Sequence, residues 1–154
     1  MPFHCTQALL GNGSIILPGN YGRIVRALGQ SHAAALRESV LEHVRVQSFP
    51  EMPSRFEAAF FCETLAQIQA YITNNNLQFL NVYEVAKTDE DAAEALTDFR
   101  MLSPWGPADF SWATRYWSGQ PHPQHAAIWP GLPAETFFER FSASPLRILQ
   151  RIPL

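Results

Sequence analysis

Apolar and polar positions alternate loosely from the start of the chain. FHCTQALL reads as a first strand over Phe3–Gln7, and GNGS, Gly11 to Ser14, reads as a turn. IILPGNYG continues as a short apolar step and a loop. The pattern then changes period. Leu36, Val40 and Val44 recur at i, i+4 and i+8 within HAAALRESVLEHVRVQ, with Arg37, Glu38, Glu42 and Arg45 between them. That spacing predicts a helix capped by Ser31, with the three aliphatics buried and the charges in water. Two prolines in FPEMPSR end it.

FEAAFFC predicts a second strand, and ETLAQIQAYI a helix with Leu65, Ile68 and Ile72 on one stripe. NNN at 74–76 is a turn. LQFLNVYEVA is apolar on both faces, which predicts a central strand. DEDAAEAL suggests a short acidic helix, SPWGP a turn, and ADFSWATRYWSG a helix closed by Gly119. QPHPQHAAIWPGLP is a proline-rich connection. AETFFERF fits a helix or a strand, and PLRILQRI a final strand. Interspersed strands and helices give an α+β class. The 154 residues suit one domain over 1–154, since domains run to roughly 100–200 residues.

Composition narrows the class. The chain is 47% hydrophobic and 16% charged, as a packed globule is. A net charge of −3 makes a nucleic-acid partner unlikely, although Arg23, Arg26 and Arg55 could form a local patch. Two cysteines, Cys5 and Cys62, both in apolar runs, are expected to be buried free thiols. No apolar run approaches the ~20 residues of a membrane span, and the N-terminus has no basic, apolar leader. The expected setting is cytoplasmic, or export as an effector without a classical signal.

Familiar site motifs are missing. No HExxH is present, and His122 and His125 read as a solvent-exposed pair, so no metal is expected. The glycine-rich GNGSIILPGNYG matches neither phosphate-binding pattern, and there is no GxSxG. What stands out is a looser set: His4 in the first strand, Ser54 and Arg55 before the second, Phe60 and Phe61 within it, and Glu135 late in the chain. Each also has a plain reading. A strand histidine commonly holds a backbone carbonyl. Ser54 suits a polar loop. Arg55 can pair with Glu51 or Glu57, and a late glutamate is commonly at the surface.

The stretch ALRESVLEHVRVQSFPEMPSRFEAAFFCET resembles the central motif of a bacterial family of uncharacterised domains, itself similar to ADP-ribosyltransferases. The VYEV strand, an Asp-Phe pair, a helix ending Tyr-Trp-x-Gly and a final PLRIL strand extend the likeness over most of the chain. The resemblance implies a split two-sheet, NAD-binding core with flanking helices. It implies a mono-ADP-ribosyltransferase moving ADP-ribose from NAD to a macromolecule, a protein by preference, as a toxin or effector. His4 would meet the nicotinamide ribose, Phe60 or Phe61 would stack on nicotinamide, and Glu135 would be the late catalytic glutamate, with Glu139 as its rival. Arg55 and Ser54 would lie beside the cofactor. Arg55 would bind the pyrophosphate or, instead, pair with Glu38 or Glu42 and pin the loop.

Two departures stand out. No tyrosine directly follows the second strand, and Glu135 lacks the Glu-x-Glu or Gln-x-Glu doublet, which weighs against an arginine acceptor. The alternatives are a nucleotide-binding module of the same fold without catalysis, or transfer to nucleic acid.

Overall fold

The computed structural model describes residues 1–29, 31–77, 79–102 and 109–153. SPWGP, residues 103–107, lies outside them. Two antiparallel sheets organise the α+β chain. The first has the order β1-β4-β7-β2, from Phe3–Thr6, Asn81–Lys87, Leu146–Ile152 and Ile15–Ile16. The second has the order β3-β6-β5, from Ala59–Phe61, Phe138–Ser142 and Glu94–Asp98. They meet at one point. Phe3 N donates to Cys62 O at 2.7 Å and Cys62 N to Phe3 O at 2.8 Å, an isolated bridge between β1 and the end of β3.

Side chains fill three layers around these sheets. Ala59 and Phe61 of the second sheet pack with Tyr83, Val85, Leu146 and Ile148 of the first. On the far side of the first sheet, Ile68 and Ile72 of α3 (Leu65–Asn74) cover Val82, Phe3 and Cys5. On the far side of the second, Leu41 and Val44 of α2 (Ala33–Ser48) meet Tyr116 and Trp117 of α4 (Ser111–Trp117), with Ala95 and Phe141. β4 is an inner strand, as its two apolar faces predict. Thr64 starts α3 through a capping box with Gln67.

Several boundaries differ from the sequence pattern. His32, not Ser31, caps α2, its ring accepting from Ala34 N. The buried stripe of α2 is Glu38, Leu41 and Val44, while Leu36 is 65% exposed. The helix is rotated because Glu38 is drawn inward by Arg55. The acidic stretch after Lys87 forms no helix. Its end is β5, because Ala95 and Thr97 alternate inward against β6 while Glu94 meets cations at the rim. β4 starts only at Asn81, after Asn76 turns the chain at φ 56°, and Phe79 is exposed. β3 is shortened by a 3-10 turn at Arg55–Glu57. AETFFERF divides into a 3-10 turn, Ala134–Phe137, and β6, and the proline-rich connection holds a short helix, α5 (His125–Ile128).

The helix α1 (Asn20–Leu28) was not expected, since its first turn falls in the stretch read as a loop, IILPGNYG. Gly22 is what lets it dock. A Cβ there would stand 2.0 Å from Phe56 O, so only glycine permits α1 to lie against the 3-10 turn that carries Arg55.

Candidate functional site

Arg55 lies inside the protein, 4% exposed. Its Nε donates to Glu38 Oε2 at 2.8 Å and its Nη1 to Glu139 Oε1 at 3.0 Å, with Tyr116 OH a further partner. Phe60, Tyr21, Tyr116 and Phe141 ring the guanidinium, Phe60 at 4.8 Å from its centre. Glu38 also accepts from Tyr21 OH at 2.8 Å and Arg37 Nη2 at 3.0 Å. One guanidinium thus joins α2, the turn before β3, α4 and β6. The pairing with Glu38 that the sequence held open is present. With its donors taken and its faces covered, Arg55 has no side turned to a phosphate.

The two carboxylates differ. Burial pushes Glu38 up, but Arg55 and Arg37 more than offset it and hold it below the usual range. At Glu139 burial outweighs Arg55 and keeps the carboxyl above the usual range.

His4 stands at the junction of the two sheets. Its Nδ1 is 2.7 Å from Phe60 O. A carbonyl only accepts, so Nδ1 carries the proton and the lone pair is on Nε2. Burial lowers the pKa of this ring and so favours its neutral form, partly offset by the Phe60 contact.

Beside this junction the sheets part and leave a groove of about 440 Å³. Phe61, Val85 and Pro2 give it an apolar lining, and Lys87 of β4 and Arg140 of β6 add cations. Glu94 bridges them, at 3.1 Å to Lys87 and 2.6 Å to Arg140. Glu63 and Glu90 reach the same cations from the rim, 51% and 78% exposed. The groove combines flat apolar surface with paired cations.

Residues 8–128 match the model of a family described as a protein of unknown function, DUF2441. The chain belongs to this family. No curated protein matches it. The DUF2441 match takes in Glu38, Arg55, Lys87 and Tyr116. It begins after His4 and ends before Glu135, Glu139 and Arg140.

The remaining expected residues fall in different surroundings. Ser54 caps the 3-10 turn, accepting from Phe56 N, and donates to Glu42 Oε2 at 2.9 Å. Phe60 points toward Arg55, and Phe61 lines the groove. Glu135 is exposed on its 3-10 turn, where its carbonyl accepts from Gln67 Nε2 at 2.9 Å. No hydrogen bond joins His4 to Glu135 among the described residues. Cys5 and Cys62 are unpaired, and burial raises both thiols, Cys5 to about 12.

His122 and His125 are not a solvent-exposed pair in this DUF2441 chain. His122 is 7% exposed and His125 is half-buried, and both stand in a second cluster around the buried Arg100. Arg100 Nε donates to Asp98 Oδ1 at 2.8 Å, and Asp98 Oδ2 accepts from His122 N at 2.8 Å. The Trp129 and Phe137 rings, 5.3 Å apart, both pack against the guanidinium, at 4.5 and 3.9 Å. The Asp-x-Arg spacing of Asp98 and Arg100 was the visible sequence signal for it. Among the described residues, no helix is long and apolar enough to cross a membrane.

Proposed function

We propose that this protein binds NAD where its two sheets part and transfers ADP-ribose from it to a protein acceptor. The observation that carries the reading is the groove beside the β1–β3 junction. NAD has two flat ring systems joined by a pyrophosphate. Such a ligand asks for apolar surface and cations in one concavity. Phe61 and Val85 supply the first, and Lys87 and Arg140 the second. The cation role that the resemblance implies for Arg55 passes in this reading to that pair.

The chemistry in this reading uses His4 and Glu135, which are not part of the groove's lining. As nicotinamide leaves, positive charge builds on the ribose. A neutral His4 accepts a ribose hydroxyl at Nε2 and holds the sugar. A carboxylate stabilises the developing charge. Glu135, exposed and with its carboxylate unengaged by any described hydrogen bond, takes that role in the proposal, because Glu139 is held by Arg55 and Tyr116.

A second reading keeps NAD binding and drops catalysis. It is favoured by the absence of a described contact between His4 and Glu135. Incubation with labelled NAD and a lysate separates the two. Label on protein that is lost in Glu135→Gln supports transfer. NAD binding without label transfer supports the binding module. Absence of NAD binding overturns both.

A further inference from the structure

We propose that the His122–Trp129 segment is an acid-released latch on the 3-10 turn that carries Glu135. The inference regulates the site proposed above and rests on that reading only for its effect on transfer.

His125 makes two hydrogen bonds that fix its protonation. Its Nδ1 is 2.7 Å from Arg100 Nη1, and its Nε2 is 2.8 Å from Leu132 O. A guanidinium only donates and a carbonyl only accepts. The ring is therefore neutral, with the lone pair on Nδ1 and the proton on Nε2. A proton added to Nδ1 sets two cations at hydrogen-bond distance and removes the acceptor. His122 has the same polarity. Its Nδ1 accepts from Gln124 N at 3.2 Å. Burial, with Arg100 nearby, holds its pKa below the usual histidine range, Asp98 pulling the other way. Among the described residues His125 meets Arg100 from the 3-10 turn after β5, Trp129 from its own segment and Phe137 from the turn of Glu135; His122 stands nearby, and Asp98 at the end of β5 reaches this group through Arg100 and His122 N. Asp98 already accepts from Arg100 and from His122 N, so it has little left to offset a second cation.

The latch reaches Glu135 through Phe137. That ring closes the turn Ala134–Phe137 and packs on Arg100, on His125 at 6.0 Å and on Trp129 at 5.3 Å. Among the described residues the turn is also held by Gln67, which donates to Glu135 O, and by Phe99, whose ring lies 6.0 Å from Phe137. Release of the His122–Trp129 segment takes the His125 and Trp129 rings from Phe137 and leaves these ties in place. The sign follows from linkage. The closed segment holds His122 below the ordinary histidine pKa of about 6.5, so this contribution is complete above that value and is lost as pH falls toward the lower folded one.

The test follows amide exchange at Trp129, which donates to His125 O at 2.8 Å, and at Leu132, by NMR at about pH 7.5 and about pH 5.5. Rates are corrected for intrinsic exchange. Protection should fall about tenfold or more in acid. It should persist in the double variant His122→Asn with His125→Asn, whose amide oxygens stand near the Nδ1 positions and do not titrate. Equal protection of the wild type at both pH values overturns the latch, as does acid opening of the double variant. Imidazole nitrogen spectra of the wild type give an independent check, since a protonated Nδ1 on His125 at the higher pH contradicts it. Acid opening without label transfer from NAD at either pH would uphold the latch and sink transfer.

Discussion

Two sets of cations in this protein have opposite surroundings. Arg55 is 4% exposed, joined to two carboxylates and a tyrosine and covered by four rings. Lys87 and Arg140 stand at the edge of a groove, and two of their three carboxylate partners are mostly in water. The first arrangement ties helices to strands and leaves nothing for a ligand. The second leaves cations whose outer partners a ligand's phosphate can displace. An arginine beside a strand is therefore a poor guide to a phosphate site until its carboxylates are located.

The largest effect expected from this contrast is on stability. Arg55→Ala leaves Glu139 buried without its cation and Glu38 with Arg37 alone. Breaking a buried pair in this way costs about 3–5 kcal/mol, and denaturant unfolding should show it. Arg55→Met, which fills the space, should lose less if accompanied by Glu38→Gln and Glu139→Gln. Undiminished stability of Arg55→Ala would contradict the assignment of Arg55 as the tie between layers.

Next is the groove. Lys87→Gln with Arg140→Gln should weaken NAD binding by about ten- to a hundredfold, the range for loss of charge-assisted contacts worth ~1.5–3 kcal/mol. The melting temperature should change little, because pairs this near the surface contribute modestly. A large melting shift with unchanged NAD affinity would reverse the roles given to the two sets.

A smaller difference separates the two carboxylates of Arg55. Glu38 is held below the usual range, so its contribution is complete above the unfolded-state pKa of about 4.3 and is lost as pH falls through the lower folded value. Glu139 is held above the usual range, so its ionised form weakens the fold as pH rises. Glu38→Gln should therefore lower the melting temperature at neutral pH more than Glu139→Gln does. Equal losses would show that the two carboxylates share Arg55 evenly.

The elements with strong periodicity were legible before the structure. α2, α3 and α4, and the strands β1, β3, β4 and β7, fall where the pattern puts them, with shifted ends. β5 was not, because Asp89–Leu96 has helix-compatible composition and its strand is selected by pairing with β6, over forty residues on. α1 was hidden by Gly22, whose role depends on a distant backbone. The site divides in the same way. Glu38 and Arg55 are near in sequence and their pairing was foreseeable, whereas Glu139 and Tyr116 reach Arg55 only through the fold. Lys87 and Arg140 come from strands of different sheets, and no local pattern links them.

The most direct test of NAD binding at the parting of the sheets is a titration of NAD into the isotope-labelled protein, followed by NMR. Binding should shift the signals of Phe61, Val85, Lys87 and Arg140 together with the His4 ring, and leave the Arg55 side-chain signal in place. Absence of binding, or shifts confined to the Arg55 cluster or to α1 and α2, would contradict the account.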